Sequence, residues 1–310
     1  MPEFAHFIVP YANAPDPGLA DLATLTLPRL GQALKTLSTT DTDRGDEQQF
    51  APPHERALAR ALGLPATATP WAALQQQPQP GNDAWAFITP CHWRIGADQV
   101  RMDDPAQLQL SAAESDELLA LLAPWFAEDG MELQADGSGR WLARGEPFRG
   151  LDCASLDRAI GRDVRLWLPE VTQAKLLQRL QSEMQMLLYT HPFTERRAER
   201  GLPPVNAFWV HGAGALPAGY QPPANRPQVL DALRAPALAG DWAAWRSAWQ
   251  QLDATDLAPL WDALAAGRPA RLTLCGERHA VTLDSTAQPL WTRIKNQFKP
   301  QRATDLLQTL

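Results

Sequence analysis

The sequence predicts an α+β fold in which helices pack on a mixed sheet. Three observations support this prediction: short runs that are apolar throughout, runs that alternate with period two, and longer segments whose leucines recur at helical spacing. These segments lack the regular strand–helix alternation of a doubly wound sheet. Of the 310 residues, 45% are apolar and 20% are charged, which is typical of a globular protein and excludes disordered and disulfide-rich chains.

The N-terminal part of the chain opens with an apolar run at residues 4–9, which is typical of a strand buried on both faces. Leu27 to Leu37 places its leucines on one side of a helix. The polar stretch from Thr39 to Pro53 predicts a loop. A proline-initiated helix is expected from Pro53 to Leu62, with His54 in its opening turn.

The middle of the chain contains the clearest local signals. Residues 85–95 alternate as in a buried strand, and Pro90 indicates a sheet edge or a bulge. Ser111 and Glu114 have the spacing of a capping box at the start of a helix. A β-hairpin is expected near residues 131–144 because two alternating runs flank a glycine-containing turn.

The longest helix is expected from Pro169 to His191, and the apolar run at residues 205–210 predicts a central strand. Two short helices and a β-hairpin near residues 271–284 follow. We therefore expect three regions: a main α+β domain at 1–214, a Pro/Gly-rich linker at 215–227 and a smaller helical subdomain with the β-hairpin at 228–310.

Charge and targeting signals narrow the class of protein. The formal net charge of −7 argues against a nucleic-acid partner, which favours a basic surface. The first residues lack a cationic signal region, and the apolar stretch at 117–127 is too short to span a bilayer. Three widely spaced cysteines predict reduced thiols. We expect a cytoplasmic protein with no membrane, metal or cofactor requirement, whose partner is another protein or a small phosphorylated metabolite.

The segment from Asn206 to Gly214 is the most site-like part of the sequence. An apolar strand leads into a glycine-bearing turn at His211, and ligands often bind beyond the carboxyl ends of strands. A dinucleotide fingerprint would need a third glycine where Pro217 stands. His92 shares a strand face with charged residues and is a second candidate. For both segments, a purely structural role is the alternative.

Two further groups are candidates for binding. Arg196 and Arg197 follow His191 and could bind phosphate or carboxylate, although a solvated helix face is the alternative. The second group recurs at i, i+3 and i+7, and it consists of Trp242, Trp245 and Trp249. Such a stripe faces either a core or a partner protein.

Four motifs together resemble the bacterial RpfE-type regulatory proteins: Pro52–Arg60, Thr89–Trp93, Glu183–Pro192 and Pro204–Val210. Some members of that family are labelled cofactor-independent phosphoglycerate mutases. Such mutases hold two metal ions in Asp and His clusters beside a nucleophilic serine. No such cluster is found in this sequence, where the only aspartates near the first strand are Asp16 and Asp21.

We therefore transfer no catalytic residue, and the resemblance offers as positions to test His54, His92, His191, Asn206 and His211. The leading hypothesis is a regulatory or accessory protein that binds a macromolecular partner. The alternatives are a metal-dependent phosphoryl-transfer enzyme or hydrolase, and a small-anion or phosphometabolite sensor.

Overall fold

The computed structural model describes residues 5–15, 18–76, 82–137, 139–169, 172–286 and 302–310, and it confirms the α+β prediction. The strands are β1 (Ala5–Val9), β2 (Ser38–Arg44), β3 (Trp85–Cys91), β4 (Trp93–Ile95), β5 (Val100–Met102), β6 (Glu132–Ala135), β7 (Trp141–Arg144), β8 (Ala207–Gly214), β9 (Gln228–Val229), β10 (Ala270–Cys275) and β11 (His279–Asp284).

The helices are α1 (Leu19–Thr24), α2 (Pro28–Ala33), α3 (Pro53–Ala61), α4 (Trp71–Gln76), α5 (Ala112–Glu128), α6 (Leu156–Ala159), α7 (Thr172–Tyr189), α8 (Pro192–Glu199), α9 (Arg234–Ala239), α10 (Trp242–Gln251), α11 (Ala258–Ala265) and α12 (Ala303–Leu307). None of the helices in the described ranges is long and apolar enough to cross a membrane.

The chain divides into two compact units. Unit 1 comprises Met1–Ala66 and Pro222–Leu310, and unit 2 comprises Thr67–Gln221. This division differs from the expected one because β1 pairs in parallel with β10, which joins the N-terminal strand to the C-terminal part of the chain. The second boundary of unit 2 falls within the predicted linker at 215–227.

Unit 1 is built on a five-stranded sheet in the order β2-β11-β10-β1-β9. Strand β1 is parallel to both of its neighbours, and β11 is antiparallel to both of its own. Phe7 and Val9 face a large core shared with α10 and α11, whereas Ile8 faces a small cluster beneath α3. The apolar character of β1 therefore reflects burial on both faces, as predicted. Phe4, the first residue of the predicted run, lies outside the described residues.

Unit 2 is built on an antiparallel sheet in the order β6-β7-β3-β8. One face packs against α5 and α7 around a core that includes Ile88, Phe126 and Trp141. The predicted capping box is confirmed, since Ser111 and Glu114 bond reciprocally at the start of α5. The predicted hairpins near 131–144 and 271–284 form as β6–β7 and β10–β11.

Three local predictions are wrong. The polar stretch after Thr39 contains most of β2, which ends its sheet and exposes its side chains while its backbone pairs with β11. The run at 205–210 forms the end strand β8 rather than a central one. The strand predicted at 85–95 ends at Cys91, and residues 93–95 form a separate strand paired with β5.

Pro90 lies in the central strand β3, where proline would normally remove a ladder hydrogen bond. The pairing of β3 with β7 ends at Ile88, however. On its other side, Pro90 lies opposite Phe208, whose N–H points away from β3 to Gln181. Pro90 therefore stands where no neighbouring strand needs its missing N–H.

Candidate ligand-binding site

A cavity of about 200 Å³ lies in unit 2 beside α7 and the end strand β8. This volume is comparable to the roughly 150 Å³ that holds a benzene molecule in an engineered protein cavity. Its aromatic lining consists of Trp93, Trp167, Phe208 and Trp209. None of its described lining residues is Asp, Glu, Lys, Arg or His. The site therefore suits an uncharged, mainly apolar group.

The aromatic wall is held by polar contacts outside the cavity. The indole N–H of Trp209 donates to the carbonyl oxygen of Ala154 at 3.0 Å, and Trp209 meets Trp93 edge to face with ring centroids 6.4 Å apart. Trp167 is flanked by the guanidinium groups of Arg158 and Arg162, 5.7 and 5.8 Å from its ring. Cation–π contacts to Trp167 are thus already supplied by the protein.

Helix α7 supplies the polar part of the lining. Gln178, Gln181, Ser182 and Gln185 recur at i, i+3, i+4 and i+7, so they form one stripe on the helix. Gln178 and Ser182 are exposed and mark the rim, whereas Gln181 is buried. The Gln181 side chain accepts a hydrogen bond from the Phe208 N–H at 3.0 Å and donates one to the Asn206 carbonyl oxygen at 3.3 Å.

Two residues predicted from the sequence position the wall of this cavity. The Asn206 side chain accepts from the Trp93 N–H at 2.7 Å and donates to the Trp93 carbonyl oxygen at 2.9 Å. The Nδ1 atom of His92 donates to the carbonyl oxygen of Pro204 at 3.0 Å. Asn206 and His92 therefore act on the backbone around Trp93, and neither lines the cavity.

The thiol in the cavity is poorly suited to nucleophilic chemistry. Burial raises the pKa of Cys153, and the neighbouring Asp152 carboxylate raises this pKa further. Burial also raises the pKa of Asp152. Because the thiolate is the reactive form, a neutral Cys153 acts as part of the apolar lining.

The remaining predicted histidines have separate partners. The Nε2 atom of His211 lies 3.0 Å from the Thr89 hydroxyl, and its ring lies 5.2 Å from Phe87. His191 caps α8 by accepting from the Phe193 N–H at 3.2 Å. His54 packs against Tyr11 in unit 1 with ring centroids 5.6 Å apart.

The two predicted arginines differ sharply in environment. Arg197 is only 1% exposed and bonds to the Glu114 carboxylate at 2.9 Å and to the carbonyl oxygens of Leu108 and Pro203. Arg196 is exposed and pairs with Glu117. Arg197 is therefore fully used in structure, and no phosphate-binding pair is formed.

The tryptophan stripe belongs mainly to the core of unit 1. Trp245 and Trp249 are completely buried, and their indole N–H groups donate to the carbonyl oxygens of Tyr11 and Ala12. Of the two alternatives that the sequence leaves open for this stripe, Trp245 and Trp249 take the core, because neither side chain reaches solvent. Trp242 is half-buried and packs edge to face on Trp245.

The residues that line the cavity were mostly missed by the sequence analysis. The available signal was the stripe of uncharged polar residues on α7, which is unusual between leucines that face a core. No group of three or more His, Cys, Asp or Glu within the described part of the chain could hold a metal ion. Asp16, one of the two aspartates considered near the first strand, lies outside that part.

Comparisons with known proteins give remote likenesses. No protein-family model matches the chain, and no curated protein is similar to it. A cofactor-independent phosphoglycerate mutase from Thermoplasma acidophilum DSM 1728 matches over 91% of this chain and 89% of its own, at 13% identity and a TM-score of 0.37. The PH0037 protein from Pyrococcus horikoshii matches over 92% and 87%, at 13% identity and a TM-score of 0.43. The resemblance to RpfE-type proteins therefore rests on sequence motifs alone.

Proposed function

We propose that the chain is a cytoplasmic regulatory protein that binds a partner polypeptide, and that the cavity of unit 2 receives an uncharged apolar group of that partner. The observation that carries this proposal is an aromatic-walled cavity without a charged lining residue among those described. Binding hot spots are commonly apolar anchors in such desolvated pockets. A phosphorylated metabolite would find no cation among the described residues of this lining.

Exposed apolar side chains on unit 2 support a macromolecular partner. Of the five large hydrophobic residues that the described chain exposes, four belong to unit 2: Ile95, Leu166, Met186 and Tyr189. Tyr189 follows Gln185 by four residues and thus continues the α7 stripe that lines the cavity. Leu166 directly precedes Trp167. Apolar surface next to a pocket is typical of a protein-interaction site.

The proposal is tested with indole as an uncharged probe and inorganic phosphate as a charged one. Isothermal titration calorimetry should detect indole binding and no phosphate binding. Ser182→Phe places a ring at the rim of the cavity and should weaken indole binding at least tenfold.

Ser247→Phe is the matched control. Ser247 is also exposed on a helix and donates to the carbonyl oxygen four residues earlier, as Ser182 does. It lies in unit 1, so this variant should bind indole as the wild type does. Equal binding of indole by both variants, or no binding by the wild type, would overturn the proposal.

A phosphoryl-transfer enzyme of the phosphoglycerate-mutase-like kind is the second candidate. It is favoured by a polar groove of about 240 Å³ on the sheet of unit 1, lined by His6, Arg60, Arg271 and Thr273 among others. The Thr273 hydroxyl lies 3.1 Å from His6 Nε2, which is the contact that an activated hydroxyl nucleophile requires.

The charges in this groove weigh against a phosphate. Arg60 pairs at 3.1 Å with Asp43, which also binds Arg56, and Arg271 pairs with Asp284 at 2.8 Å, so each guanidinium group in the groove already has a carboxylate partner. An assay of phosphoglycerate isomerisation, with and without divalent metal ions, decides between the candidates. Turnover that Thr273→Val abolishes would move the functional site to unit 1.

A further inference from the structure

We infer that the partner presents an amino-acid residue in extended conformation, whose own N–H and C=O pair with the outer edge of β8 while its apolar side chain enters the cavity. This inference rests on the proposed function and names the chemistry of the group that the site accepts. The occupant is a segment of the partner polypeptide, which the exposed apolar side chains of unit 2 favour over a small compound.

The outer edge of β8 faces α7 and the cavity. Strand β8 ends its sheet, and the described residues contain no strand on its outer side. The Phe208 N–H bonds to Gln181 and so points away from β3. Since alternate residues of a strand direct their backbone groups to the same side, the N–H and C=O of Val210 also point outward.

The Gln181 side chain forms hydrogen bonds with part of the outward-facing backbone at this edge. Its amide accepts from the Phe208 N–H and donates to the Asn206 carbonyl oxygen, as the backbone of a neighbouring parallel strand would. The next equivalent pair along the edge is the carbonyl oxygen of Phe208 and the N–H of Val210. Phe208 and Val210 both line the cavity. A bound residue would donate to the first group and accept from the second, which is the strand-addition mode of peptide recognition.

The surroundings match the rest of such a residue. An internal peptide residue with an aliphatic side chain carries no charge, and neither do the described side chains of the lining. Trp93 and Trp209 offer an apolar wall for the side chain. The exposed Gln178 and Ser182 at the rim can bind the flanking amide groups.

The test compares two probes on the wild-type protein. N-acetyl-L-leucine methylamide has the required N–H, and its analogue methylated on the leucine nitrogen lacks it. One net hydrogen bond corresponds to about fivefold in affinity, so calorimetry should show the methylated analogue binding about fivefold more weakly.

Val210→Pro removes the proposed donor from the protein, and proline is tolerated at a strand edge whose N–H faces outward. This variant should weaken binding of the unmethylated probe about fivefold. Val210→Ala retains the N–H and is the matched control, in which the preference for the unmethylated probe should persist. Should Val210→Pro fail to fold, the comparison of the two probes on the wild-type protein still tests whether the N–H of the bound residue forms a hydrogen bond.

The outcomes separate this inference from the proposed function. Equal binding of both probes, together with indole binding, overturns the inference and leaves the cavity as an apolar site. Binding of neither probe nor indole overturns the proposed function itself. If the preference is found, an acetylated Ser-Gly-Leu-Gly-Ser peptide should bind more tightly than N-acetyl-L-leucine methylamide, because its flanking amide groups reach Gln178 and Ser182 at the rim. Equal binding of the peptide and the single residue would overturn a partner segment as the occupant.

Discussion

The tryptophans that fill the core of unit 1 differ in role from Trp93, which lines the cavity of unit 2. In unit 1, the indole N–H groups of Trp245, Trp249 and Trp261 all donate to backbone carbonyl oxygens, and the rings fill the core. In unit 2, Trp93 lines a cavity, and its buried N–H meets no oxygen or nitrogen acceptor among the described residues. A high tryptophan content therefore has no single meaning here. Trp249 in unit 1 and Trp141 in unit 2 fill cores, whereas Trp93 borders the cavity.

The largest expected effect tests this contrast directly. Trp249→Ala should lower the free energy of unfolding by about 3–5 kcal/mol, because a fully buried ring and the hydrogen bond to Ala12 are both lost. The loss for Trp93→Ala should be smaller than the loss for Trp249→Ala by at least about 1 kcal/mol, because one side of the Trp93 ring already faces the cavity. Urea denaturation of the two variants measures the difference, and equal losses would break the comparison.

Each unit contains a buried arginine that bonds to a carboxylate and to backbone carbonyl oxygens. Arg56 in unit 1 is 2% exposed and bonds to Asp43 and to the carbonyl oxygens of Ala51 and Arg278, much as Arg197 is held in unit 2. Arg56→Met and Arg197→Met should each cost about 3 kcal/mol, because each removes a buried charged donor that bonds to one carboxylate and two carbonyl oxygens. Urea denaturation gives both values, and a near-neutral result for one variant would reveal a difference between the units.

The stability of unit 1 should depend on pH through His6, a half-buried histidine on β1. Burial, with a smaller contribution from Arg271, lowers the pKa of His6 to about 4, whereas an unfolded histidine titrates near 6.5. The unfolded state therefore binds the proton more readily, and the free energy of unfolding should fall as the pH is lowered from about 6.5 to about 4.

Thermal melts across this pH range check the expectation, with His6→Gln as the comparison. The glutamine cannot titrate but can still bond to Thr273, so its melting temperature should fall less steeply with decreasing pH. Parallel profiles for the wild type and the variant would show that His6 does not cause the dependence.

The smallest loss of stability is expected at Arg196, which is next in sequence to the buried Arg197. Arg196→Ala should change the free energy of unfolding by less than about 0.5 kcal/mol, because its ion pair with Glu117 is exposed to solvent. The neighbouring Arg197 is the contrast, and the same denaturation series covers both. A loss for Arg196→Ala above about 1 kcal/mol would mean that this surface pair belongs to a larger network.

Local features of the fold could be predicted from the sequence, whereas sheet order could not. The capping box at Ser111 and the hairpin turns depend on neighbouring residues, and both predictions are confirmed. The position of β8 at the end of its sheet depends on pairings between distant segments. Its apolar residues are buried by helices as well as by strands, and the local pattern cannot distinguish the two.

The candidate site shows the same limit. The sequence offers Asn206 and His92 as candidates for binding, with a structural role as the alternative, and both bind backbone groups around Trp93. The cavity results from the packing of α7 beside β8, so its lining comes from segments far apart in sequence. The stripe of uncharged polar residues on α7 marks Gln181 as unusual, but its role becomes clear only with its partners Asn206 and Phe208.

The pairing of Ala5 with Ala270 has a consequence for synthesis on the ribosome. Strand β1 emerges early but must wait for roughly 265 further residues before β10 is available. At translation rates of about 5–20 residues per second, this delay is roughly 13–53 seconds, during which all of unit 2 emerges. An unpaired strand is a template for aggregation during that time. Slower translation of the segment that encodes unit 2 should therefore lower the yield of correctly assembled unit 1.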